Sequence, residues 1–275
     1  MKSKKKEWIF SILRTIIVLV LVVSFLLPFA IMLLGSFNNI QFAKMNPFFW
    51  IPENFSLANY QAILVNNQYL SWVKNSVITT IIPVFSQMFF AAILGYIFGK
   101  KKFKGREVIF WMFMAVIMIP QQLLIIPKYI MFTKLDWINT HLALIVPELW
   151  GVMGVFLVRQ FLQSIPDELE EAAHVDGAND FTIFRKIILP LSMPVVATVG
   201  TFTFVSRWND LFQPLIYTTQ SKMYTITVGL ASMLSQEGHF GIEMAGSVIS
   251  FVPSFLIFIF FQRYFTEGIQ MSGIK

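Results

Sequence analysis

The chain contains no cysteine in its 275 residues. That excludes disulfides, thiolate metal sites and cysteine nucleophiles, and it leaves the compartment open. Charge is scarce as well. Only 13% of residues are Asp, Glu, Lys or Arg, against 56% apolar, and the mean hydropathy is +0.67. Soluble domains carry about 25% charged residues, so this composition points to lipid as the solvent. The three histidines, His141, His174 and His239, stand far apart, without metal-binding spacing. A phosphate loop is missing too. Gly95 and Gly99 precede Lys100, but that motif needs four residues between its glycines and a Ser or Thr after the lysine. Here three residues intervene and Lys101 follows. The chain is therefore expected to hydrolyse no ATP by itself. The G-x-x-x-G spacing instead suits close helix contact.

What the chain does have is apolar runs. Six segments, at about 15–34, 76–98, 108–127, 138–158, 187–206 and 244–262, approach the roughly 20 residues a helix needs to cross a bilayer. The fold class expected is all-α, a polytopic membrane protein with six transmembrane helices in one domain, 1–275. No Ser/Gly linker, low-complexity tract or repeat divides it. The first run follows Lys4-Lys5-Lys6, but it is longer than a signal-peptide core and no A-x-A-like site follows, so an uncleaved span is expected. The formal net charge of +6 invites a nucleic-acid reading. The basic residues instead cluster at the ends of the apolar runs, which excludes nucleic acid as a partner. Counted by loop, 15 lysines and arginines fall on one side and 6 on the other, the full 21. By the positive-inside rule both termini and the 164–190 loop are cytoplasmic. The outer loops then hold polar residues such as Trp50, Pro52, Asn54 and Asn59.

A few polar residues interrupt the apolar segments. Ionisable groups inside a membrane cost about 2.5–3.5 kcal/mol on insertion scales, so they face a cavity or a partner. Glu148, in the fourth segment, is a candidate for a translocation path, with a structural bond to a neighbouring helix as the alternative. For Gln87, Gln121 and Gln122, helix–helix bonding is the expected role. Arg207 and Asp210 lie one helical turn apart and are expected to pair locally. Trp208, Asn209 and Gln213 suit sugar rings in kind, since aromatic faces and amides bind them; interfacial anchoring is the competing role of Trp208.

The polar stretch 164–190 carries the most information. Ser164-Ile165-Pro166-Asp167-Glu168 reads as a helix start. Residues 166–175 are helical by propensity, and Gly177 can adopt the positive φ that ends a helix. A second short helix, about 179–188, would place Phe181, Phe184 and Ile188 on one face. Pro190 then leads into the fifth span. Ala172 and Ala173 permit close approach of a partner. Glu170, Glu171 and Asp176 offer it carboxylates.

Within this stretch Glu171-Ala172-Ala173, Gly177, Ile187, Leu189 and Pro190 fit the spacing EAA-x3-G-x9-I-x-LP. That pattern resembles the cytoplasmic loop of the membrane subunits of binding-protein-dependent ABC importers. The likeness runs the length of the chain. Asn75-Ser76, Ile119-Pro120, Ile126-Pro127, Asn139-Thr140, Trp208-Asn209-Asp210, Pro214-Leu215 and the ending from Gln262 to Gly268 resemble the carbohydrate branch, and in particular the G-type subunit of the maltose-type importers. Arg207 and Glu148 are less typical of it. The resemblance implies a type I ABC importer permease fold. It also implies a homologous second permease subunit, two cytoplasmic ATPase subunits docked on the EAA loops, and an extracellular sugar-binding protein. ATP would be bound by the partner subunits, and this chain would need no cofactor. The coupling residues would be Glu170, Glu171, Ala172, Ala173, Asp176 and Gly177, and the possible substrate path Glu148, Trp208, Asn209 and Gln213. The C-terminal tail, Gly268–Lys275, would reach the ATPases. The setting implied is a bacterial cell membrane. A self-sufficient secondary transporter, with Glu148 as its coupling carboxylate, is the alternative; the sparse charge and the EAA loop speak against it. A membrane-embedded enzyme is a third possibility, against which stands the lack of a metal cluster or a nucleophile–base set.

Overall fold

The computed structural model describes residues 2–38, 51–52, 55–237 and 239–272. Trp50 and Asn54 of the outer loop and residues 273–275 of the tail lie outside the described residues, and only the backbone of 265–272 is described. In chain order the helices are α1 (Lys2–Gly35), α2 (Ala58–Leu64), α3 (Tyr69–Lys100), α4 (Arg106–Ala115), α5 (Ile125–Lys134), α6 (His141–Ile145), α7 (Val152–Leu162), α8 (Glu168–Val175), α9 (Asp180–Ile183), α10 (Leu189–Trp208), α11 (Phe212–Tyr217), α12 (Ile226–Glu237) and α13 (Phe240–Ser272). Among the described residues, five stretches are long and apolar enough to cross a membrane: Phe10–Gly35, Tyr69–Lys100, His141–Leu162, Asp180–Trp208 and Phe240–Tyr264. A sixth is a bent pair, Arg106–Met118 with Gln121–Lys134. The six-span expectation holds, with three corrections of form.

The third span is not one helix over 108–127. It bends by 84° at Ile119-Pro120, because proline lacks the N–H of the helical ladder and drives the preceding residue to extended backbone; Ile119 has ψ 114°. The fourth is not continuous over 138–158. Pro147 tightens it into a 3-10 turn, Val146–Glu148, and Gly151 is extended before α7 begins. The carbonyls freed by this break are satisfied from α3: Ser86 Oγ donates to Leu149 O at 2.6 Å and Gln87 Nε2 donates to Glu148 O at 2.8 Å. In lipid such partners are obligatory. The fifth span begins at Asp180, not near 187, because α9 runs through a π-helical turn, Phe184–Ile188, straight into α10.

The described chain groups into two compact units. One takes in Met1–Tyr69 and Leu230–Phe251. There Asn59 is fully enclosed and donates to the carbonyls of Ser36 and Asn38, at 2.9 and 3.1 Å. The Phe29 and Phe251 rings meet at 5.2 Å.

The other takes in Leu70–Gly229 and Val252–Lys275. Its core joins α3, α7 and α10 through Ala91, Ala92, Tyr96, Val158, Leu162, Val195, Val196 and Val199. The Gly95–Gly99 pair does what its spacing suggested: a Cβ on Gly95 would meet Val158 at 2.5 Å, so only glycine lets α3 approach α7 this closely. Beside it the buried Arg159 Nη2 reaches both Glu107 oxygens, at 2.9 and 2.8 Å, while its guanidinium lies 3.8 Å over the Phe110 ring. At the other end of the unit, Asn75 Nδ2 donates to the carbonyls of Lys222 and Tyr224, Ser76 Oγ accepts from the Ile226 N–H, and Asn139 Oδ1 accepts from the amides of Thr219 and Gln220. The short Asn-Ser and Asn-Thr elements of the sequence thus pin the segment 219–226.

Candidate functional site

The polar loop is built around α8. Asp167 precedes this helix without a capping bond, and Ser164 does not cap it either: its hydroxyl donates back to Phe161 O at 2.7 Å. Three carboxylates in the first turn, Glu168, Glu170 and Glu171, face the helix N-terminus, where the dipole favours them. Gly177 ends the turn with φ +81°, and nothing lies within 4 Å of a Cβ placed there. Asn179 Oδ1 then accepts from Thr182 N at 2.9 Å and starts α9.

The expected second short helix is therefore no separate element but the beginning of the fifth span. Phe184 and Ile188 share the face that packs on the core, but Phe181 does not. Phe181 is 68% exposed while Ile183 and Ile188 are both fully buried. The π-turn between them changes the register, so that residues five apart look the same way.

A cluster of charges fastens α8 to the end of α3. Lys100 Nζ meets Asp167 Oδ1 at 2.6 Å and donates to the Ile165 carbonyl. Lys101 Nζ bridges Glu170 Oε2, at 3.1 Å, and Asp180 Oδ1, at 2.9 Å, and lies over the Tyr96 ring. Tyr96 OH adds a bond to Glu170 Oε2 at 3.0 Å. Burial works against the Lys101 charge, but its bonds to Asp180, Tyr96 and Glu170 outweigh it and raise the ammonium above its ordinary value. The bond from Lys100 holds the Asp167 carboxyl below the usual aspartate range.

The expected coupling residues thus divide. Glu170 is buried and turned inward, and Ala173 packs on the core. Glu171, Ala172, Asp176 and Gly177 face out. So do three large apolar side chains: Leu169 at 45%, Val175 at 88% and Phe181 at 68% exposure. Glu170 could not be told from Glu171 by sequence, since only the fold brings Lys101 and Tyr96 to it.

A second polar cluster lies at the break of the fourth span. Arg207 Nη1 contacts Glu148 Oε2 at 3.2 Å and Asp210 Oδ2 at 3.3 Å, and Gln213 Nε2 donates to Glu148 Oε1 at 3.0 Å. The two residues least typical in sequence are partners. Burial pushes the Asp210 carboxyl up, against the pull of Arg207 and of the Gln213 and Phe212 amides. Gln87 binds Thr203 and the broken backbone, which is the helix–helix role expected of it. Gln121 does not bridge helices among the described residues; its Oε1 accepts from Lys128 Nζ at 3.0 Å.

A cavity of about 650 Å³ opens beside this cluster, lined from α3, the two broken spans and α10. Gln87, Gln122, Glu148, Trp150 and Arg207 reach it. Trp208 does not line it: this side chain is buried and stacks on Phe204 at 5.6 Å. Asn209 is held by Ser254 Oγ and the Val205 carbonyl. Trp150, 53% exposed at the break, is the aromatic that sequence reading missed. Only the interruption of the helix at Gly151 could have singled it out.

Comparison with known proteins decides what this architecture is. Residues 91–271 match the family described as the binding-protein-dependent transport system inner membrane component. The chain belongs to this family. Among the relatives of this permease, an arabinooligosaccharide transport permease of Halalkalibacterium halodurans is 35% identical over 226 residues, 82% of this chain and 81% of the relative. A polygalacturonan/rhamnogalacturonan transport permease of Bacillus subtilis is 29% identical, covering 90% of this chain and 92% of its own length. A chain of a bacterial ABC transporter that imports the acidic polysaccharide alginate superposes with TM-score 0.82, over 94% of this permease and 98% of that chain, at 21% identity. The type I importer permease fold is therefore established, and α8 occupies the loop that carries the EAA pattern. Membership in a binding-protein-dependent family, together with the engagement of Glu148 by Arg207 and Gln213, tells against the secondary-transporter reading.

Proposed function

We propose that this permease forms half of the pathway of an ATP-driven oligosaccharide importer. It would pair with a homologous second permease, and an extracellular binding protein would deliver the solute. Two cytoplasmic ATPase subunits would bind and hydrolyse the ATP, one of them seated on α8. The termini and α8 would face the cytoplasm, following the distribution of lysine and arginine. The observation that carries this reading is the loop built on α8: Leu169, Ala172 and Val175 of this helix and Phe181 of α9 turn outward, while the inner side of α8 is clamped to α3. An exposed apolar patch rimmed by Glu171 and Asp176 suits a protein partner. A clamped helix passes on the partner's movement, where a loose loop would absorb it. The carbohydrate assignment draws on the relatives above.

Mild-detergent extraction from native membranes and mass spectrometry of the stoichiometric partners test this. A second permease and an ATPase are expected in the complex. Recovery of the chain alone, active in liposomes without any ATPase, would refute the proposal.

A further inference from the structure

The cavity at the two broken spans has a chemistry of its own. Its charged lining is Glu148, Arg207 and Lys128, and Asp210 pairs with Arg207 from behind. Two cations thus balance two carboxylates. Arg207 is engaged by both carboxylates at once, and Lys128 donates to Gln121. A polyanionic solute would have to displace these contacts and would meet the Glu148 carboxylate. A neutral, hydroxyl-rich solute need displace none of them.

Two lining groups remain open. The Trp150 ring stacks on no other ring, and its indole N–H has no acceptor among the described residues. The Gln122 amide has no hydrogen-bond partner among the described residues either. Both sit where the backbone departs from a helix: Trp150 in the gap between Glu148 and α7, Gln122 just past the bend at Pro120. A half-exposed indole offers the flat apolar face on which the C–H side of a sugar ring rests. An amide offers both a donor and an acceptor to its hydroxyls. Pockets of about 300–1,000 Å³ hold small ligands, and this one, at about 650 Å³, has room for part of an oligosaccharide.

We propose that this cavity is a solute-contact site for uncharged carbohydrate, with Trp150 as its ring platform and Gln122 as its hydroxyl anchor. The proposal rests on the importer reading and deepens it: this subunit touches the solute itself, and it favours neutral sugars over uronate polymers.

The test uses the assembled complex of this chain with its permease and ATPase partners, purified in detergent without the binding protein. Saturation-transfer NMR is recorded with arabinotriose, xylotriose and maltotriose as neutral probes and trigalacturonate as the acidic one. At least one neutral probe gives transfer, and trigalacturonate gives none. Trp150→Ala weakens the neutral probe about tenfold, the loss of one well-buried apolar contact. Trp150→Phe retains most of the binding and shows that the fold survives. Gln122→Ala gives a smaller loss. Binding of trigalacturonate as strong as that of the neutral probes overturns the proposal. So does the absence of transfer from every neutral probe, or unchanged binding in both alanine variants. The importer reading is tested apart from this, by ATP-driven uptake through the wild-type complex with its binding protein present. Uptake with binding indifferent to Trp150 and Gln122 removes the cavity proposal alone. No uptake in the wild type removes the importer reading.

Discussion

Gly177→Val is expected to abolish coupled transport while the chain still inserts and folds. The reason is conformational. The residue stands at φ +81° with open space around its Cβ position, so a larger side chain has room but not the backbone. An L-residue pays about 1–2 kcal/mol to enter this region, and a β-branched one is a genuine outlier there. On that scale the native turn falls about tenfold or more in population. The turn sets the angle between α8 and α9, so its loss misplaces Leu169, Val175 and Phe181 together. Asparagine tolerates left-handed backbone, and Gly177→Asn is expected to keep most of the activity. Alanine should fall between. Recovery of the ATPase with each variant, together with uptake in liposomes, separates these outcomes. A valine variant as active as the asparagine one would mean that the turn has no part in coupling.

Lys101→Met should uncouple the transporter by a different route. The substitution keeps the length of the side chain and removes its charge. Among the described residues, Glu170, buried on the inner side of α8, then retains only the Tyr96 hydroxyl, and Asp180 only His174. One Glu170 oxygen, Oε1, already has no partner among the described residues. Removing the charged one of two donors to a buried carboxylate costs about 1–3 kcal/mol, enough to loosen α8 from α3 without unfolding the core formed by Val158, Leu162 and Val199. On the function proposed above, the ATPase would still dock on the outer face of α8, so hydrolysis would continue. Solute carried per ATP is expected to fall at least about fivefold, the change that the low end of this cost implies. Lys101→Arg should restore part of the ratio, since it keeps the charge and reaches both carboxylates. An unchanged ratio in the methionine variant would mean that the clamp carries no movement.

The six spans and the form of the EAA loop, a helix stopped by Gly177, were legible because they are local patterns. About 20 apolar residues make a span wherever they fall, and EAA-x3-G marks a helix and the turn that stops it. The breaks were half-legible. Pro120 and Pro147 are plain in the sequence, yet proline inside a membrane helix is often tolerated. Whether it breaks the span depends on Ser86 and Gln87 waiting on α3 to satisfy the freed carbonyls. What could not be read was pairing at a distance. Glu148 and Arg207 looked like two isolated anomalies until the fold set them 3.2 Å apart. Glu170 and Glu171 are chemically alike, and only Lys101, some 70 positions away, turns one of them inward. Trp208 had the right chemistry for a sugar, but packing against Phe204 buries it, whereas Trp150 gains its exposure from a break in the helix.

On the function proposed here, ATP acting through α8 drives the movement of solute through this permease. The most direct test is uptake of labelled oligosaccharide into liposomes holding the complete complex, with ATP supplied at the cytoplasmic face and ionophores collapsing every ion gradient. Uptake that persists under these conditions, and vanishes when ATP alone is withdrawn, is the result predicted. Uptake that stops with the gradients while ATP remains would contradict the account.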